Sequence, residues 1–301
     1  MNSSEWEDSD GVGPNLEASL MLELPKITIV TPSYNQGQYL EQTILSVLGQ
    51  QYPNLEYIIM DGGSSDDSLE IIKRYADKLA YWQSKPDHGQ VDAIAQGFEM
   101  SKGDILGWLN SDDILLPGCL RIVGSRFSDT PSMVTLSGRV VYIDSEGKPF
   151  RAGVPIRRKT WRHMLFHHHT MGQMATFWTR SAYETVGGLD TTLTFSFDFD
   201  LFVRLKQIGE IYLINDYLAG FRWHPSQKTH RLVKTNQMED QLLRERYDCC
   251  SFPWVSVLSR KARLRQRIAE YLAWQKDRTT LIKLCESWRA MCTGAKEGRP
   301  Q

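Results

Sequence analysis

Cysteine is scarce in this sequence, and long apolar runs are absent from it. Five cysteines occur among 301 residues, two of them adjacent at Cys249 and Cys250. No pair has the Cys-x-x-Cys spacing of a structural zinc site or a redox motif, so we expect a reducing compartment and no structural zinc. No segment reaches the roughly 18 apolar residues that a membrane-spanning helix requires.

A large excess of charge of one sign is also missing. The formal net charge is -1 at pH 7 and the pI is about 6.7, which argues against a polycationic surface that binds nucleic acid. The N-terminus has no basic segment followed by an apolar core, so we predict no signal peptide. We expect a cytoplasmic protein, in solution or peripheral at the inner face of the membrane.

Composition divides the chain into four zones. Residues 1–24 contain six acidic residues and no Lys or Arg, and this arm is predicted to be disordered. Residues 25–127 and 128–245 form the two halves of a folded region. Residues 246–301 form a basic tail, because residues 257–301 hold eleven Lys or Arg against four Asp or Glu.

The basic tail has a helical pattern and two interpretations. Its basic face could lie against anionic lipid headgroups while Trp274 and Trp288 insert into the membrane. Alternatively, the tail is a solvated helix that packs on the rest of the protein. The sequence leaves both open.

The folded region alternates short β-branched runs with amphipathic segments. The predicted strands are Ile27–Val30, Leu55–Met60 and Ile105–Leu109. The predicted helices are Tyr39–Gly49, Ser68–Tyr75, Asp92–Met100, Ser181–Val186 and Phe199–Ile208. This alternation predicts an α/β fold with a mostly parallel sheet flanked by helices. Residues 133–150 carry turn residues among apolar ones, which indicates a hairpin added to the sheet.

Polar groups follow three of the predicted strands at the point where each strand ends. A Pro32–Asn35 loop follows the first strand, Asp61 ends the second, and Asp112 and Asp113 end the third. The carboxyl ends of parallel strands open into the ligand crevice of such a sheet, so these groups are expected to meet there. Taken singly, Asp61 could instead cap a helix, and the aspartate pair could form a capped turn.

Eight segments together form a recognisable pattern. Four lie in the first half, at Thr31–Asn35, Met60–Ser68, Pro86–Ala93 and Gly103–Asp113. Four more lie in the second half, at Gln173–Phe177, Gly187–Asp190, Phe197–Leu201 and Arg222–His224. In sequence and order these segments resemble those of glycosyltransferase family 2. The resemblance covers about residues 26–230. It implies a GT-A fold, with a Rossmann-like sheet, to which the hairpin and a C-terminal helical tail are added.

This resemblance implies an inverting transfer of a sugar from a nucleoside diphosphate donor, with Mn²⁺ or Mg²⁺ as cofactor. Such ions take hard oxygen ligands and neutralise the charge of the diphosphate leaving group. Asp113 is expected on the metal, and Asp112 on the donor ribose or the metal's water shell. His224 matches a position that reaches the metal or the pyrophosphate in some relatives.

The donor-binding positions implied by the resemblance lie in the first half. Asp61 would accept a hydrogen bond from a ring N–H of the base, which mildly favours uridine, and Tyr34 could stack on that base. Lys85 could meet a phosphate or be an exposed structural lysine. The remaining donor-binding positions are Thr31, Pro32, Gly89 and Asp92.

The acceptor half is expected to supply the catalytic base. The acceptor hydroxyl must lose its proton as it attacks the anomeric carbon, and a carboxylate can take that proton. Asp198 matches the family's base position, although Phe197 stands where the family usually has Glu, and Asp200 is the fallback. Either carboxylate could instead be a helix N-terminal residue favoured by the helix dipole. Gln173 is expected on the acceptor side.

The resemblance implies a glycan or lipid-linked acceptor in polysaccharide or glycolipid assembly. A sugar nucleotidyltransferase is one alternative, but it would need a glycine-rich loop with a basic residue after the first strand. The loop Thr31–Gly37 has no basic residue. A non-catalytic sugar-nucleotide-binding protein is the other alternative. Loss of the metal or base carboxylates would indicate it, and both are present.

Overall fold

The computed structural model describes residues 24–154, 171–247 and 255–297. The predicted acidic arm lies outside these residues except for Leu24, and so does the Cys249–Cys250 pair.

The first half builds a parallel sheet. Its elements are β1 (Ile27–Ser33), α1 (Gly37–Leu48), β2 (Leu55–Asp61), α2 (Ser68–Arg74), β3 (Tyr81–Ser84), α3 (Gln90–Met100) and β4 (Ile105–Trp108). The strands pair in parallel in the order β3-β2-β1-β4. All seven residues of β1 are buried, as a central parallel strand covered on both faces requires. The sequence prediction of alternating strands and helices is confirmed here.

The second half extends the same sheet with mixed pairing. Its elements are β5 (Ile114–Leu115), α4 (Cys119–Asp129), β6 (Thr135–Ile143), β7 (Pro149–Ala152), β8 (Thr176–Thr179), α5 (Arg180–Thr185), α6 (Phe197–Ile208), β9 (Ile211–Arg222), α7 (Lys228–Arg231) and α8 (Val233–Arg246). The sheet continues from β4 as β8-β6-β9-β5, and β7 pairs with β6. Of these pairs only β6 and β9 run parallel, so the parallel character belongs mainly to the first half. The β6–β7 pair is the predicted hairpin.

Alternate strand residues enter two separate apolar cores. Ile29 and Ile59 belong to one cluster, while Val30 and Ile58 belong to the other. Successive side chains of a strand point to opposite faces of the sheet, so the two clusters cover its two faces. The sheet is thereby fixed between helices, and its strand ends are left to carry polar groups.

The C-terminal helix, α9 (Val255–Glu297), packs against β7 and α1. Its buried apolar positions among the described side chains are Leu281, Cys285, Trp288 and Cys292, spaced as one face of a helix. Trp288 is only 2% exposed. The membrane interpretation with Trp288 inserted in lipid is therefore wrong, because that side chain is already in the core. Among the described residues, none of the helices is both long and apolar enough to cross a bilayer.

Candidate active site

A cavity of about 1040 Å³ opens at the carboxyl ends of β1 and β4. Residues of both halves line it. Those from the first half include Pro32, Gly63 and Asp112, and those from the second include Asp198 and Lys228. The volume is at the upper end of the range of ligand pockets, which is roughly 300–1,000 Å³.

Asp112 lines this cavity and contacts His224, which is 2% exposed and lies outside the lining. Asp112 lies in the turn after β4, and His224 lies two residues after the end of β9. His224 Nε2 is 3.0 Å from Asp112 Oδ2, and His224 Nδ1 is 2.8 Å from Ser226 Oγ. The imidazole lies against the Tyr39 ring at a centroid distance of 4.8 Å. Both ring nitrogens therefore have partners, which fixes the orientation of the imidazole.

Arg222 ties the aspartate turn to β9 and α1. Its guanidinium is fully buried, and its Nε donates to the Asp112 carbonyl at 2.7 Å. One terminal nitrogen donates to Gln42 Oε1 at 2.9 Å. Burial lowers the pKa of Arg222, although Asp113 and Tyr39 oppose this effect. The three elements that hold the Asp112 turn are thus connected through one side chain.

Asp113, which the sequence analysis expects on the metal, does not line the cavity. It is 1% exposed, and its Oδ1 accepts the Arg222 backbone N–H at 2.9 Å. Burial raises its pKa well above the usual range, and the neighbouring charge of Asp112 adds to the effect. The turn closes with the Asp113 N–H donating to the Asn110 carbonyl. The turn thus directs the two aspartates to different sides, and only Asp112 lines the cavity.

The two candidate base residues are separated in the same way. Asp198, in the first turn of α6, lines the cavity, and its Oδ1 accepts the Phe199 N–H at 2.7 Å. Asp200 is fully buried and is paired with Arg204 at 2.7 Å and Arg246 at 3.1 Å. Tyr247 donates to it as well, at 2.8 Å. Side chains two positions apart on a helix point in nearly opposite directions, so only Asp198 faces the cavity.

Phe197, which replaces the expected Glu, has a packing role. It is 3% exposed, and its ring lies 5.8 Å from that of Trp108. A carboxylate in this position would be buried against an aromatic ring. The departure from the family pattern is thus accommodated by the local core.

Glu239 of α8 holds the loop that leads into α6. Its carboxylate accepts the backbone N–H groups of Thr194, Phe195 and Ser196 at 2.7–2.9 Å. All three loop residues line the cavity. The position of Asp198 therefore depends on a carboxylate 41 residues further along the chain, and the sequence gives no signal for this contact.

The sequence matches a known protein family. The family model described as "Glycosyl transferase family 2" matches residues 28–187, which is more than half of the chain. The chain belongs to glycosyl transferase family 2. It is therefore a glycosyltransferase.

Relatives by sequence agree with this assignment. An uncharacterized glycosyltransferase of Rickettsia typhi is 25% identical over 227 residues, which cover 72% of this chain and 69% of the relative. One of Mycobacterium tuberculosis is 29% identical over 207 residues, covering 67% of this chain and 76% of the relative. Chondroitin synthase of Escherichia coli is 28% identical over 206 residues, which cover 66% of this chain but only 29% of that protein.

Solved structures show the same fold. The structure of S. aureus TarS in complex with UDP-GlcNAc superposes with a TM-score of 0.56 at 15% identity, covering 67% of this chain and 60% of that one. The mannosyltransferase PcManGT of Pyrobaculum calidifontis, in complex with GDP-Man and Mn2+, has a TM-score of 0.54 at 17% identity and covers 92% and 90%. The glycosyltransferase thus has the GT-A fold that its sequence predicted.

The structure divides the predicted donor-binding residues into two groups. Pro32, Tyr34, Gly89 and Asp112 line the cavity. Tyr34 is 63% exposed at its mouth. Gly89 has φ of +110° immediately before α3, a conformation that favours glycine.

Asp61 lies at the end of β2 but not in the lining of the cavity. It is 1% exposed, and its oxygens accept the backbone and hydroxyl groups of Ser64 and the hydroxyl of Ser84 at 2.6–2.9 Å. A carboxylate has about four acceptor sites, so three bonds leave room for one more. Gly62 and Gly63, which follow it, do line the cavity.

The other three donor-side candidates also lie outside the cavity lining. Thr31 is buried, and its Oγ1 is 3.0 Å from the Tyr57 hydroxyl. Lys85 is exposed beyond β3. Asp92 accepts the His88 N–H at 3.2 Å and thereby fixes the turn before α3. Their positions fit structural roles in the strands and turns that carry the site.

Gln173, the predicted acceptor-side residue, contacts the first half of the chain. It lines the cavity, and its Nε2 donates to the Trp108 carbonyl at 2.7 Å. Its Oε1 accepts Asn110 Nδ2 at 3.4 Å. The side chain thereby connects β4 with the segment that precedes β8.

Lys228 is the main site residue that sequence reasoning missed. It lines the cavity, and its ammonium donates to Gln90 Oε1 at 2.8 Å and to the Thr194 carbonyl. Burial lowers its pKa to about 8, although the charges of Asp198 and Glu239 oppose the change. The available signal was its place just beyond the Arg222–His224 segment, where a strand end meets the cavity.

Asp112 offers a carboxylate oxygen, the ligand type that Mn²⁺ and Mg²⁺ prefer, and His224 offers an imidazole nitrogen beside it. The two atoms are 3.0 Å apart, at hydrogen-bond distance, so His224 would exchange this bond for one to the ion. Clusters of three or more His, Cys, Asp or Glu suited to a metal do not occur among residues 24–154, 171–247 and 255–297. Mg²⁺ and Mn²⁺ do not need such a cluster when substrate phosphates and water complete the shell.

Proposed function

We propose that this glycosyltransferase transfers a sugar, with inversion, from a UDP-sugar to a hydroxyl of a glycan or glycolipid. One observation carries the proposal. Asp112 comes from the first half of the chain and Asp198 from the second, and both line a single cavity of about 1040 Å³. His224, also from the second half, contacts Asp112. A diphosphate site and a base on its far side are the two elements that direct displacement needs.

Asp112 and His224 are the residues that would hold Mn²⁺ or Mg²⁺. The bound ion would neutralise the negative charge that develops on the diphosphate leaving group. Asp112 replaces Asp113 in this proposal because only Asp112 lines the cavity. Arg222 would keep the carboxylate in place through its bond to the Asp112 carbonyl.

Asp198 would act as the general base. The acceptor oxygen forms a bond to the anomeric carbon while the bond from that carbon to the diphosphate oxygen breaks, and the electron pair leaves with the UDP. The acceptor proton moves to the Asp198 carboxylate and is later released to solvent. Attack opposite the leaving group inverts the anomeric configuration. The pairing of Asp200 with Arg204 and Arg246 supports Asp198 as the base.

Lys228 and Arg231 would supply positive charge to the donor phosphates. Both line the cavity just beyond His224. An ammonium and a guanidinium are the usual phosphate partners in proteins. In this proposal Lys228 exchanges its bonds to Gln90 and the Thr194 carbonyl for bonds to the donor.

Uridine is the proposed base of the donor. Asp61 retains acceptor capacity next to the cavity wall, and Tyr34 offers an exposed ring at the mouth. The TarS structure contains UDP-GlcNAc, whereas the PcManGT structure contains GDP-Man. The nucleotide is therefore the first property to measure. Relatives named chondroitin synthase and hyaluronan synthase support a role in polysaccharide assembly.

The proposed location is the cytoplasm, with peripheral contact to anionic membrane through the first half of α9. Four apolar residues form an exposed stripe there: Leu264, Ile268, Tyr271 and Leu272, each at least 51% exposed. Basic residues lie on both sides of this stripe on the helix: Arg265, Arg267, Lys276 and Arg278. An apolar stripe between rows of basic residues is typical of interfacial helices. This mode replaces the one that used Trp288.

Hydrolysis of the donor tests the stereochemistry without knowledge of the acceptor. The protein is incubated with UDP-GlcNAc, UDP-glucose and UDP-glucuronic acid in the presence of Mn²⁺, and the first sugar anomer released is identified by proton NMR. The proposal predicts the β anomer from these α-linked donors. Release of the α anomer first would contradict inversion.

A further inference from the structure

Three neighbouring strands form part of the cavity floor. Arg151 of β7 is the register partner of Tyr142 of β6, and Tyr142 is the register partner of Phe221 of β9. Register partners point to the same face of a sheet. All three side chains line the cavity.

These side chains form a continuous row of flat groups. The Arg151 guanidinium lies 3.6 Å from the centroid of the Tyr142 ring. The Tyr142 and Phe221 rings are 5.6 Å apart, and those of Phe221 and Trp223 are 6.3 Å apart. Trp223 is 41% exposed and directly precedes His224. The row therefore leads from the proposed diphosphate site across the sheet to β7.

Helix α9 supplies a polar edge to this row. Gln266 and Glu270, one helical turn apart, line the same cavity. Gln266 Nε2 donates to Glu270 Oε1 at 3.2 Å. Glu270 Oε2 is 4.0 Å from Arg151 Nε. That nitrogen is buried and has no hydrogen-bond partner among the described residues, which leaves an unsatisfied donor beside the aromatic row.

This combination of groups suits a sugar ring. A pyranose presents an apolar C–H face, which aromatic rings cover well, and an edge of hydroxyls that donate and accept hydrogen bonds. The carboxylate, amide and guanidinium at the edge supply both acceptors and donors. Arg151 and Glu270 balance each other in charge, so the row requires no charged ligand.

We propose that Tyr142, Arg151, Phe221, Trp223, Gln266 and Glu270 form a subsite that binds the acceptor glycan beyond the sugar that is attacked. The inference rests on the proposed function, because it assigns the acceptor side of the same cavity. Gln266 and Glu270 lie outside residues 28–187, which the family match covers. Acceptor choice is therefore set in part by the C-terminal helix.

The test measures glycan binding by helix variants. Full-length protein with UDP and Mn²⁺ is applied to an array of immobilised oligosaccharides from disaccharides to hexasaccharides, and the best binder is titrated in solution. Glu270→Gln and Gln266→Ala are expected to weaken its binding about tenfold each. Glu286→Gln, the same change at an exposed position of the same helix, should bind like the wild type. Melting temperatures verify folding, and Gln266→Ala keeps the test valid should Glu270→Gln unfold.

Two results would overturn the subsite. One is wild-type affinity in both folded helix variants, and the other is binding of UDP by the wild type with no oligosaccharide bound. UDP titrated without glycan reports on the proposed function alone. Glycan binding that depends on Glu270 in a protein that does not bind UDP would support the subsite and contradict the transfer chemistry.

Discussion

Asp112 Oδ2 and His224 Nε2 lie 3.0 Å apart, although 112 residues separate them in the chain. The contact joins the turn after β4 to the segment after β9. The sheet places these two ends together because β9 returns beside β5 in an antiparallel pair. The pair is where we place the divalent cation.

The two adjacent aspartates are expected to respond differently to the same change. Asp112→Asn should weaken Mn²⁺-dependent UDP binding about a hundredfold, because a ligand charge is lost in the cavity. Asp113→Asn should retain that binding, because its Oδ1 can still accept the Arg222 N–H. Calorimetric titration with UDP, with and without Mn²⁺, measures both.

The opposite result, in which Asp113→Asn loses Mn²⁺-dependent UDP binding and Asp112→Asn retains it, would identify Asp113 as the metal ligand. Loss of binding in both variants, with melting temperatures that match the wild type, would indicate that the whole turn is needed and that Asp112 has no separate role.

Asp198 and Asp200 form a second matched pair. Asp198→Asn should lower turnover by about 10²–10⁴ while UDP binding and melting temperature stay close to those of the wild type. Asp200→Asn should instead lower the free energy of unfolding by about 3 kcal/mol, because Arg204 and Arg246 lose the buried carboxylate that pairs with both of them. Urea unfolding and steady-state kinetics distinguish them. Normal turnover in a folded Asp198→Asn variant would exclude it as the base.

The lowered pKa of Lys228 predicts that donor binding weakens at alkaline pH. Its folded pKa is lowered to about 8 by burial, so the ammonium is present below this pH and is lost above it. If the ammonium binds the donor phosphates, the UDP association constant should fall up to about tenfold for each pH unit above about pH 8. Lys228→Arg should remove this fall, since guanidinium stays charged. A UDP association constant of the wild type that does not change with pH would show that the Lys228 ammonium does not bind the phosphates.

The sequence predicted the fold well because its signals are local. The β-branched run at Ile27–Val30 and the helical pattern at Ser181–Val186 each depend on a few neighbouring residues, and the structure has a strand and a helix there. Which of the two adjacent carboxylates, Asp112 or Asp113, lines the cavity was harder to predict from the sequence. Which of Asp112 and Asp113 faces the cavity depends on Arg222, 109 residues away from Asp113, and no local pattern contains that contact.

The same limit applies to Lys228 and to the edge formed by Gln266 and Glu270. These residues join the cavity only because α7 follows the end of β9 and α9 packs against β7. Their helical periodicity indicates which residues share a face but not which strand that face meets. The family resemblance covers about residues 26–230, so it does not include Gln266 or Glu270.

The exposed stripe on α9 predicts binding to anionic vesicles. The wild type should sediment with phosphatidylcholine vesicles that contain phosphatidylserine but not with phosphatidylcholine alone. The double change Leu264→Gln and Ile268→Gln should weaken this binding about a hundredfold, since two apolar side chains no longer enter the interface. Met238→Gln, an exposed apolar position of α8, is the control. Vesicle binding that survives the double change, or dimerisation that it abolishes in scattering measurements, would contradict the membrane assignment.

The most direct test of the central claim is calorimetric titration of the wild-type protein with UDP, GDP and TDP, each with and without Mn²⁺. The account predicts binding of UDP that requires Mn²⁺, with weaker binding of GDP and TDP. Metal-dependent binding of GDP in preference to UDP would correct the donor while retaining the metal site. Absence of binding for all three by a folded protein would contradict the assignment of Asp112 and His224 to a metal-bound diphosphate.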